Sequence, residues 1–280
     1  MSAITQYLRG KGLLSNRPTR LRPARAIHRL FGSTAYPITK RELIACIDEH
    51  HTVLEIGPFT NPMVRGENVR YFDVLGKGEL IIRAAEQGYN AESPVDIHYV
   101  SSNGDLGIVD ATFDFVVSSH CIEHQPDLVR HLQGVERLLN ANGRYLLIIP
   151  DKRYCFDHFM PLSTIDDVVA AYREKRTFHA LASHRLRATL GTHNDPRRHW
   201  SGDHGVPPGD ENFTPDYERE MISHIEQNRY ADTHAWYFTP SSFAAIVNSL
   251  VESKMSNLRV LSVYSTAKNS LEFAAVLQKT

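Results

Sequence analysis

The sequence has few cysteines and no long apolar run. Only three of its 280 residues are cysteines, and no two of them form a CxxC pair. This count and spacing argue against a disulfide framework and against a thiolate zinc site. No stretch approaches the ~18 consecutive apolar residues that a membrane-spanning helix needs, and no secretion signal is recognisable. We therefore expect a cytoplasmic protein.

Acidic residues are absent from the first 41 positions, which carry nine Lys and Arg. The remainder has 22 basic against 32 acidic residues, so the net charge of −1 conceals a basic arm joined to an acidic body. Prolines in "RPTRLRPARAIHRLFG" interrupt any long helix. We expect the arm, residues 1–36, to pack on the acidic body, within one chain or between the subunits of a homodimer. Contact with nucleic acid or an anionic membrane, and a mitochondrial presequence, are alternatives.

Strand and helix patterns alternate between residues 39 and 150. Helical spacing is seen in "ITKRELIACIDEH", "KGELIIRAAEQGY" and "PDLVRHLQGVERLLNANG", and buried strands are indicated by "TVLEIG", "VRYFDV", "FDFVVSS" and "RYLLIIP". Strands that are continuously apolar and alternate with helices predict an α/β fold with a parallel sheet covered on both faces.

Two later segments depart from this alternation. Residues 151–232 are polar and hold seven of the 15 histidines, which predicts an insertion of helices and loops within a domain spanning 37–280. The last two apolar runs, "LRVLSVYST" and "SLEFAAVLQK", are separated by about three residues. Parallel neighbours need a crossover of roughly a dozen residues or more, so these runs are expected to form an antiparallel hairpin.

The segment "VLEIGPFTNP" places an acid and a single glycine directly after the first strand. Gly57 lets the backbone approach a ligand, and Glu55 can accept hydrogen bonds from one. Asp73 ends the second strand, where an acidic side chain can bind the hydroxyls of a ribose. The turn lacks the GxGxxG pattern that cradles a pyrophosphate, which disfavours NAD. We expect a ligand that contains a nucleoside but no phosphate.

These motifs resemble the class I S-adenosylmethionine-dependent methyltransferases, particularly the small-molecule subset with "FDxVxxxxxxEH" after the fourth strand. The resemblance covers more than half of the chain. It implies S-adenosylmethionine as cofactor and a Rossmann-like, seven-stranded sheet whose last strand is antiparallel. The cofactor-binding residues that it implies are Glu55, Gly57, Pro58, Asp73, Gly104, Asp105, Leu106, Ser119 and His120.

The segment "SSHCIEHQPD" carries potential ligands at i, i+3 and i+4, namely His120, Glu123 and His124. Relatives that methylate phenol or catechol hydroxyls hold a divalent metal with a similar Glu-x-x-Glu-His motif, so the resemblance implies a metal site here. A general base at His120 or His124, or a purely structural role, is an alternative. His158 and His234 are further candidate bases.

The polar run "IPDKRYCFDHFMPL" follows the fifth strand, at the edge of the sheet where an acceptor is expected. We interpret residues 151–232 as a cover over that acceptor. The candidate acceptor contacts are Asp151, Lys152, Arg153, Tyr154, Trp200 and Tyr237. Zinc binding by the clustered His193, His199 and His204 is an alternative, although their spacing matches no standard zinc motif.

Abundant histidine near the expected acceptor favours O-methylation, because a hydroxyl acceptor must lose its proton whereas a neutral amine need not. We therefore predict an S-adenosylmethionine-dependent O-methyltransferase that acts on a small polar acceptor, such as a sugar or a glycosylated or natural-product intermediate. One alternative is an RNA methyltransferase, which the acidic body and the lack of an "NPPY" motif disfavour. Another is a non-catalytic subunit that binds the cofactor and regulates a partner.

Overall fold

A seven-stranded sheet forms the framework of the computed structural model, which describes residues 36–91, 93–227, 229 and 231–280. The predicted basic arm lies outside the described residues except for its last residue. The strands are β1 Val53–Ile56, β2 Val69–Asp73, β3 Tyr99–Val100, β4 Phe113–Ser119, β5 Leu139–Pro150, β6 Leu258–Val263 and β7 Glu272–Lys279.

Their order in the sheet is β3-β2-β1-β4-β5-β7-β6. Strands β1 to β5 pair in parallel, and β7 runs antiparallel between β5 and β6. This arrangement confirms the predicted Rossmann-like α/β sheet with an antiparallel last strand. The chain proceeds outward from β1 in opposite directions, to β2 on one side and β4 on the other. Sheets of this kind bind ligands in the crevice at the carboxyl ends of the two strands where the order reverses.

The α-helices are α1 Lys40–Ile44, α2 Lys77–Glu86, α3 Leu128–Leu138, α4 Ile165–Arg173, α5 Leu181–Leu190, α6 Pro196–Trp200, α7 Pro215–Glu226 and α8 Pro240–Glu252. Helices α4 to α7 and the loops between them form the insertion of helices and loops that the sequence predicts after β5. Helix α1 is shorter than the pattern over 39–51 suggests. Thr39 caps its start: the Thr39 hydroxyl oxygen accepts the Glu42 amide, and the Thr39 amide donates to the Glu42 carboxylate. No described helix has the length and apolar character needed to cross a membrane.

Both faces of the sheet are buried, as the continuously apolar strands predict. Leu54 and Ile56 of β1 pack in one core together with residues of α3 and α8. Val53, the first residue of β1, packs on the opposite face in a second core with Leu43 of α1. Successive side chains of a strand point to opposite faces, so a strand covered on both sides must be apolar at every position.

The predicted terminal hairpin is confirmed, although its loop runs from residue 264 to residue 271 instead of about three residues. This longer loop packs against the end of β5. The Thr266 hydroxyl donates to Asp151 Oδ2 at 2.5 Å, and the Asp151 amide donates to the Leu271 carbonyl at 2.7 Å. The loop therefore helps to fix the edge of the sheet where the cavity opens.

Candidate functional site

A cavity of about 1310 Å³ lies at the carboxyl ends of β1, β2 and β4, where the strand order reverses. Eight of the nine predicted cofactor-binding residues line it: Glu55, Gly57, Pro58, Asp73, Gly104, Leu106, Ser119 and His120. The ninth, Asp105, is directed elsewhere. Its carboxylate accepts a hydrogen bond from the Gly107 amide at 3.0 Å and caps the short 3₁₀ helix Leu106–Ile108.

The loop after β1 is held in shape by a glycine and a buried acid. Gly57 has a φ of +69°, a conformation that glycine adopts without steric cost, and its amide donates to the Phe72 carbonyl at 2.8 Å. The Glu55 carboxylate accepts the amides of Met63 at 2.7 Å and Val64 at 3.0 Å. Burial raises the pKa of Glu55 to about 7, although these two amides oppose the rise. Glu55 thus fixes the path of the loop as well as lining the cavity.

Asp73 ends β2 at the wall of the cavity and is 7% exposed. Its Oδ1 accepts the Val74 amide at 2.7 Å. Burial raises the pKa of this carboxyl group, while hydrogen bonds from the amides of Val74, Phe59 and Leu75 lower it. A buried carboxylate at this strand end has the placement that ribose recognition requires.

Glu123 forms the centre of a cluster of imidazoles. Its side chain is fully buried, and neither carboxylate oxygen has a hydrogen-bond partner. One nitrogen from each of three histidines faces its Oε1: His120 Nδ1 at 3.7 Å, His124 Nε2 at 3.7 Å and His234 Nε2 at 4.0 Å. These distances are longer than hydrogen bonds. A buried carboxylate without a hydrogen bond is costly, so this group needs a further explanation.

The other nitrogen of each imidazole is bound to a carboxylate. The pairs are His120 Nε2 with Glu272 Oε2 at 2.6 Å, His124 Nδ1 with Asp232 Oδ1 at 2.9 Å, and His234 Nδ1 with Asp157 Oδ2 at 2.7 Å. A carboxylate on one nitrogen fixes the orientation and tautomer of the ring and makes the opposite nitrogen a better ligand or base. All three opposite nitrogens face Glu123.

The charge of His124 differs from that of an ordinary histidine. Burial lowers its pKa, but the hydrogen bond and charge of Asp232, with the charges of Glu123 and Asp157, raise it more, to about 9. His124 is therefore protonated near neutral pH as long as no cation takes the place of its proton. A protonated imidazole cannot accept a proton, so His124 cannot serve as a general base in that state.

The chain turns sharply to bring these groups together. His120 follows β4 with a φ of +51°, and the 3₁₀ helix Ile122–His124 comes next. One tight turn, instead of an α-helix, therefore supplies His120, Glu123 and His124 to the cluster. The loop before α8 supplies His234. The amides of Ala235 and Trp236 both donate to the Glu123 carbonyl, at 2.7 Å and 3.2 Å. These bonds hold His234 beside residues more than a hundred positions earlier in the chain.

Sequence reasoning found the three histidines that face Glu123 but missed their carboxylate partners, Asp157, Asp232 and Glu272. Asp157 offered a signal, because it stands beside a candidate base in "FDHF". Asp232 lies in a polar loop and Glu272 at the start of β7, and neither position carries a recognisable motif. Sequence reasoning also missed Phe156 and Asn194, which line the cavity from the segment 151–232 together with Asp232.

The predicted acceptor contacts cluster beside the cavity, and none of the six lines it. Asp151 is buried and accepts two hydrogen bonds from the Arg153 guanidinium, at 2.9 Å and 2.6 Å. Tyr154 stacks on Trp200 with ring centroids 4.1 Å apart. The Lys152 ammonium donates to the His158 carbonyl at 2.7 Å, and the Tyr237 hydroxyl donates to the His234 carbonyl at 3.2 Å.

These bonds brace the loop after β5 and the segment that carries His234. The side chain of His158, predicted as a candidate base, also lies outside the cavity lining. Direct contact of these residues with an acceptor stays a prediction.

The sheet order, the antiparallel β7 and the cavity at the reversal point define the methyltransferase class of Rossmann-like folds. Residues 15–250 match a family model described as a methyltransferase domain. The chain therefore belongs to this methyltransferase family. At the level of family and fold, the match confirms the prediction of a class I S-adenosylmethionine-dependent methyltransferase.

Several solved structures are similar to the chain at low sequence identity. A protein named as an S-adenosylmethionine-dependent methyltransferase from Listeria monocytogenes is 11% identical, with 86% of this chain and 97% of that chain covered and a TM-score of 0.44. One from Mesorhizobium loti is 13% identical, with 86% and 98% covered and a TM-score of 0.43. A Rhodobacter sphaeroides protein named as a Zn-dependent alcohol dehydrogenase is 14% identical, with 88% and 92% covered and a TM-score of 0.45. At these TM-scores the likenesses carry no argument about mechanism. No curated protein matches the chain.

Proposed function

We propose that the protein is an S-adenosylmethionine-dependent O-methyltransferase that acts on a small polar acceptor, such as a sugar or a glycosylated intermediate. The observation that carries this proposal is the buried Glu123 carboxylate, which faces three carboxylate-paired imidazoles in the wall of the cofactor cavity. Methyl transfer to a hydroxyl requires the loss of its proton, and this cluster can accept a proton or lower the pKa of the hydroxyl.

The cavity is large enough for a cofactor and an acceptor together. Its volume of about 1310 Å³ exceeds the roughly 300–1,000 Å³ of common single-ligand pockets. Two of its cations are already paired with carboxylates, since Lys40 Nζ lies 3.4 Å from Glu272 Oε2 and Arg83 Nη2 lies 3.2 Å from Asp232 Oδ2. Paired charges suit a hydroxylated acceptor better than a polyanion such as RNA.

The same cluster fits a divalent metal, which we propose is held by Glu123, His124 and His234, with His120 beside them. The fit rests on the two unpartnered carboxylate oxygens of Glu123 and on the Nε2 atoms of His124 and His234, whose Nδ1 atoms are occupied by Asp232 and Asp157. When bound, such an ion supplies Lewis-acid chemistry that lowers the pKa of an acceptor hydroxyl. Without it, His120 and His234 are the better candidate bases, because His124 is already protonated.

The remaining residues position the reactants. Asp73 binds the ribose in this proposal, and the loop fixed by Gly57 and Glu55 shapes the methionine end of the cavity. Phe156 and Asn194 cover the cavity from the insertion. The sulfonium is itself a good leaving group, so orientation of the acceptor oxygen toward the methyl carbon supplies much of the rate, up to ~7–11 kcal/mol in well-oriented cases.

The test is a methyl-transfer assay with Glu123→Gln and with Glu67→Gln, a matched change at an exposed position. Protein stripped with EDTA is supplied with labelled S-adenosylmethionine and a panel of sugar, phenol and amine acceptors, with and without Mg²⁺ or Mn²⁺. We expect transfer to a hydroxyl acceptor and, in Glu123→Gln, a loss of at least about 100-fold, comparable to the removal of a stabilising group at a reacting centre. Binding of S-adenosylhomocysteine should change little.

Transfer to amines alone would contradict the proposed O-methylation. Full activity of Glu123→Gln on a hydroxyl acceptor would contradict the role proposed for the Glu123 cluster. Cofactor binding without transfer to any acceptor, together with a stable complex with another protein, would instead favour the non-catalytic subunit. Stimulation of transfer by a divalent ion in the wild type, lost in Glu123→Gln, would support the metal.

A further inference from the structure

Four histidines of the insertion pack together outside the cavity lining. His158 follows β5, His199 belongs to α6, and His193 and His204 flank that helix. The rings of His158 and His204 are stacked with centroids 3.7 Å apart, and the centroids of His199 and His204 are 5.3 Å apart. Helix α6 and its flanking loops therefore meet the loop after β5 through imidazoles.

Backbone carbonyls determine which nitrogens of two rings carry hydrogen. His158 Nδ1 lies 2.8 Å from the Arg153 carbonyl, and His199 Nε2 lies 3.1 Å from the His193 carbonyl. A carbonyl can only accept, so these nitrogens are the donors, and in the neutral rings His158 Nε2 and His199 Nδ1 carry lone pairs. Metal-binding histidines are oriented in the same way, by an acceptor on the second ring nitrogen.

The available nitrogens are close enough to share an ion. His199 Nδ1 lies 3.1 Å from His204 Nδ1, and ligand-capable nitrogens of His158, His199 and His204 all lie within 4.8 Å of one another. Two nitrogens bound to one tetrahedral zinc at ~2.0–2.1 Å are ~3.3 Å apart. The separation of His199 and His204 is close to that value, whereas the stacked His158 and His204 rings must rotate apart for their nitrogens to converge.

We propose that His158, His199 and His204 form a second metal site, distinct from the Glu123 cluster, that binds Zn²⁺ or a similar transition-metal ion. All three donors are imidazole nitrogens, which suit Zn²⁺, Co²⁺, Ni²⁺ and Cu²⁺ but not Mg²⁺ or Ca²⁺. An ion here fastens α6 and its loops to the loop after β5, and so stabilises the cover of the cavity.

The test measures zinc binding to the full-length, metal-stripped protein by calorimetry, in wild type and two variants. His204→Phe keeps a ring stacked on His158 but removes the nitrogens. His193→Ala is the control, since it changes a neighbouring histidine and preserves the carbonyl that orients His199. We expect His193→Ala to bind as many zinc ions as the wild type. His204→Phe should bind one zinc ion fewer, or bind that ion much more weakly. The loss of affinity should exceed the roughly 10–100-fold that follows when a residue that only orients a ligand is removed.

Thermal unfolding provides a second readout that is independent of methyl transfer. Zn²⁺ should raise the Tm of His193→Ala by more than that of His204→Phe, while Mg²⁺ should not distinguish them. Equal zinc binding and equal stabilisation in the two variants would overturn the second site and leave the histidines as a packed, hydrogen-bonded stack. Because both variants leave the Glu123 cluster intact, this result does not depend on the proposed function of the cavity.

Discussion

The Asp232–His124 pair makes a quantitative prediction for metal-free protein. Asp232 is the main group that raises the pKa of His124 from 6.5 to about 9, against the effect of burial. A histidine whose pKa is raised by folding contributes stability that is fully present below the pKa of the unfolded state and is lost as the pH rises through the folded value. For His124 that window runs from about pH 6.5 to about pH 9.

The size of the effect follows from the two pKa values of His124. At 1.36 kcal/mol per unit, the pair contributes up to about 3 kcal/mol to the free energy of unfolding at pH 6, about 2 kcal/mol at pH 7.5 and almost nothing at pH 9.5. The Asp232 side chain is 38% exposed, so solvent screening makes these figures upper bounds. The substitution Asp232→Asn should remove most of this contribution.

The assay is urea denaturation of wild type, Asp232→Asn and Asp96→Asn at pH 6, 7.5 and 9.5 in the presence of EDTA. Asp96 is the matched control because its carboxylate is 89% exposed and pairs with Lys77 at the surface. We expect the stability gap between wild type and Asp232→Asn to shrink as the pH rises, while Asp96→Asn follows the wild type. A gap that stays constant between pH 6 and pH 9.5 would refute the reasoning, because it would show that charge on His124 contributes nothing.

Two further predictions concern the cofactor loop and the ribose site. Gly57→Ala should lower the free energy of unfolding by ~1–2 kcal/mol, because the φ of Gly57 is +69° and a left-handed backbone is costly for alanine. Urea denaturation checks this, with the helical substitution Gly78→Ala as the control. Equal free energies of unfolding for the two variants would contradict the prediction. Asp73→Asn should weaken S-adenosylhomocysteine binding by ~1–3 kcal/mol through a lost buried hydrogen bond. Calorimetry beside Asp96→Asn measures that loss, and unchanged affinity in Asp73→Asn would remove the ribose from this position.

The fold was predictable because burial on both faces leaves a direct pattern in the strands. A strand such as β1, with Val53 in one core and Leu54 in the other, must be apolar throughout. The short link inferred for the last hairpin was less accurate, since residues 264–271 separate β6 and β7. The sequence up to Thr266 continues the apolar pattern of β6, but the Thr266 side chain hydrogen-bonds to Asp151 at the end of β5. Such long-range contacts leave no local periodicity in the sequence.

The site was predictable where its residues stand next to strand ends. Gly57, Asp73 and His120 each follow or end a strand of the parallel sheet, and topology alone brings those ends to one edge. The pairing of each carboxylate with its imidazole was not predictable, because Asp157 and Asp232 lie in the insertion, whose path depends on tertiary contacts. Asp105 has a different explanation: its side chain caps a 3₁₀ helix through a local hydrogen bond, and a motif does not distinguish this role from ligand binding.

Binding of S-adenosylhomocysteine to the wild-type protein tests the central claim most directly. Isothermal titration calorimetry should show saturable binding of one molecule per chain, and NAD should not compete for the site. Absence of S-adenosylhomocysteine binding to folded wild-type protein would contradict the account of the cavity and of the reaction built upon it.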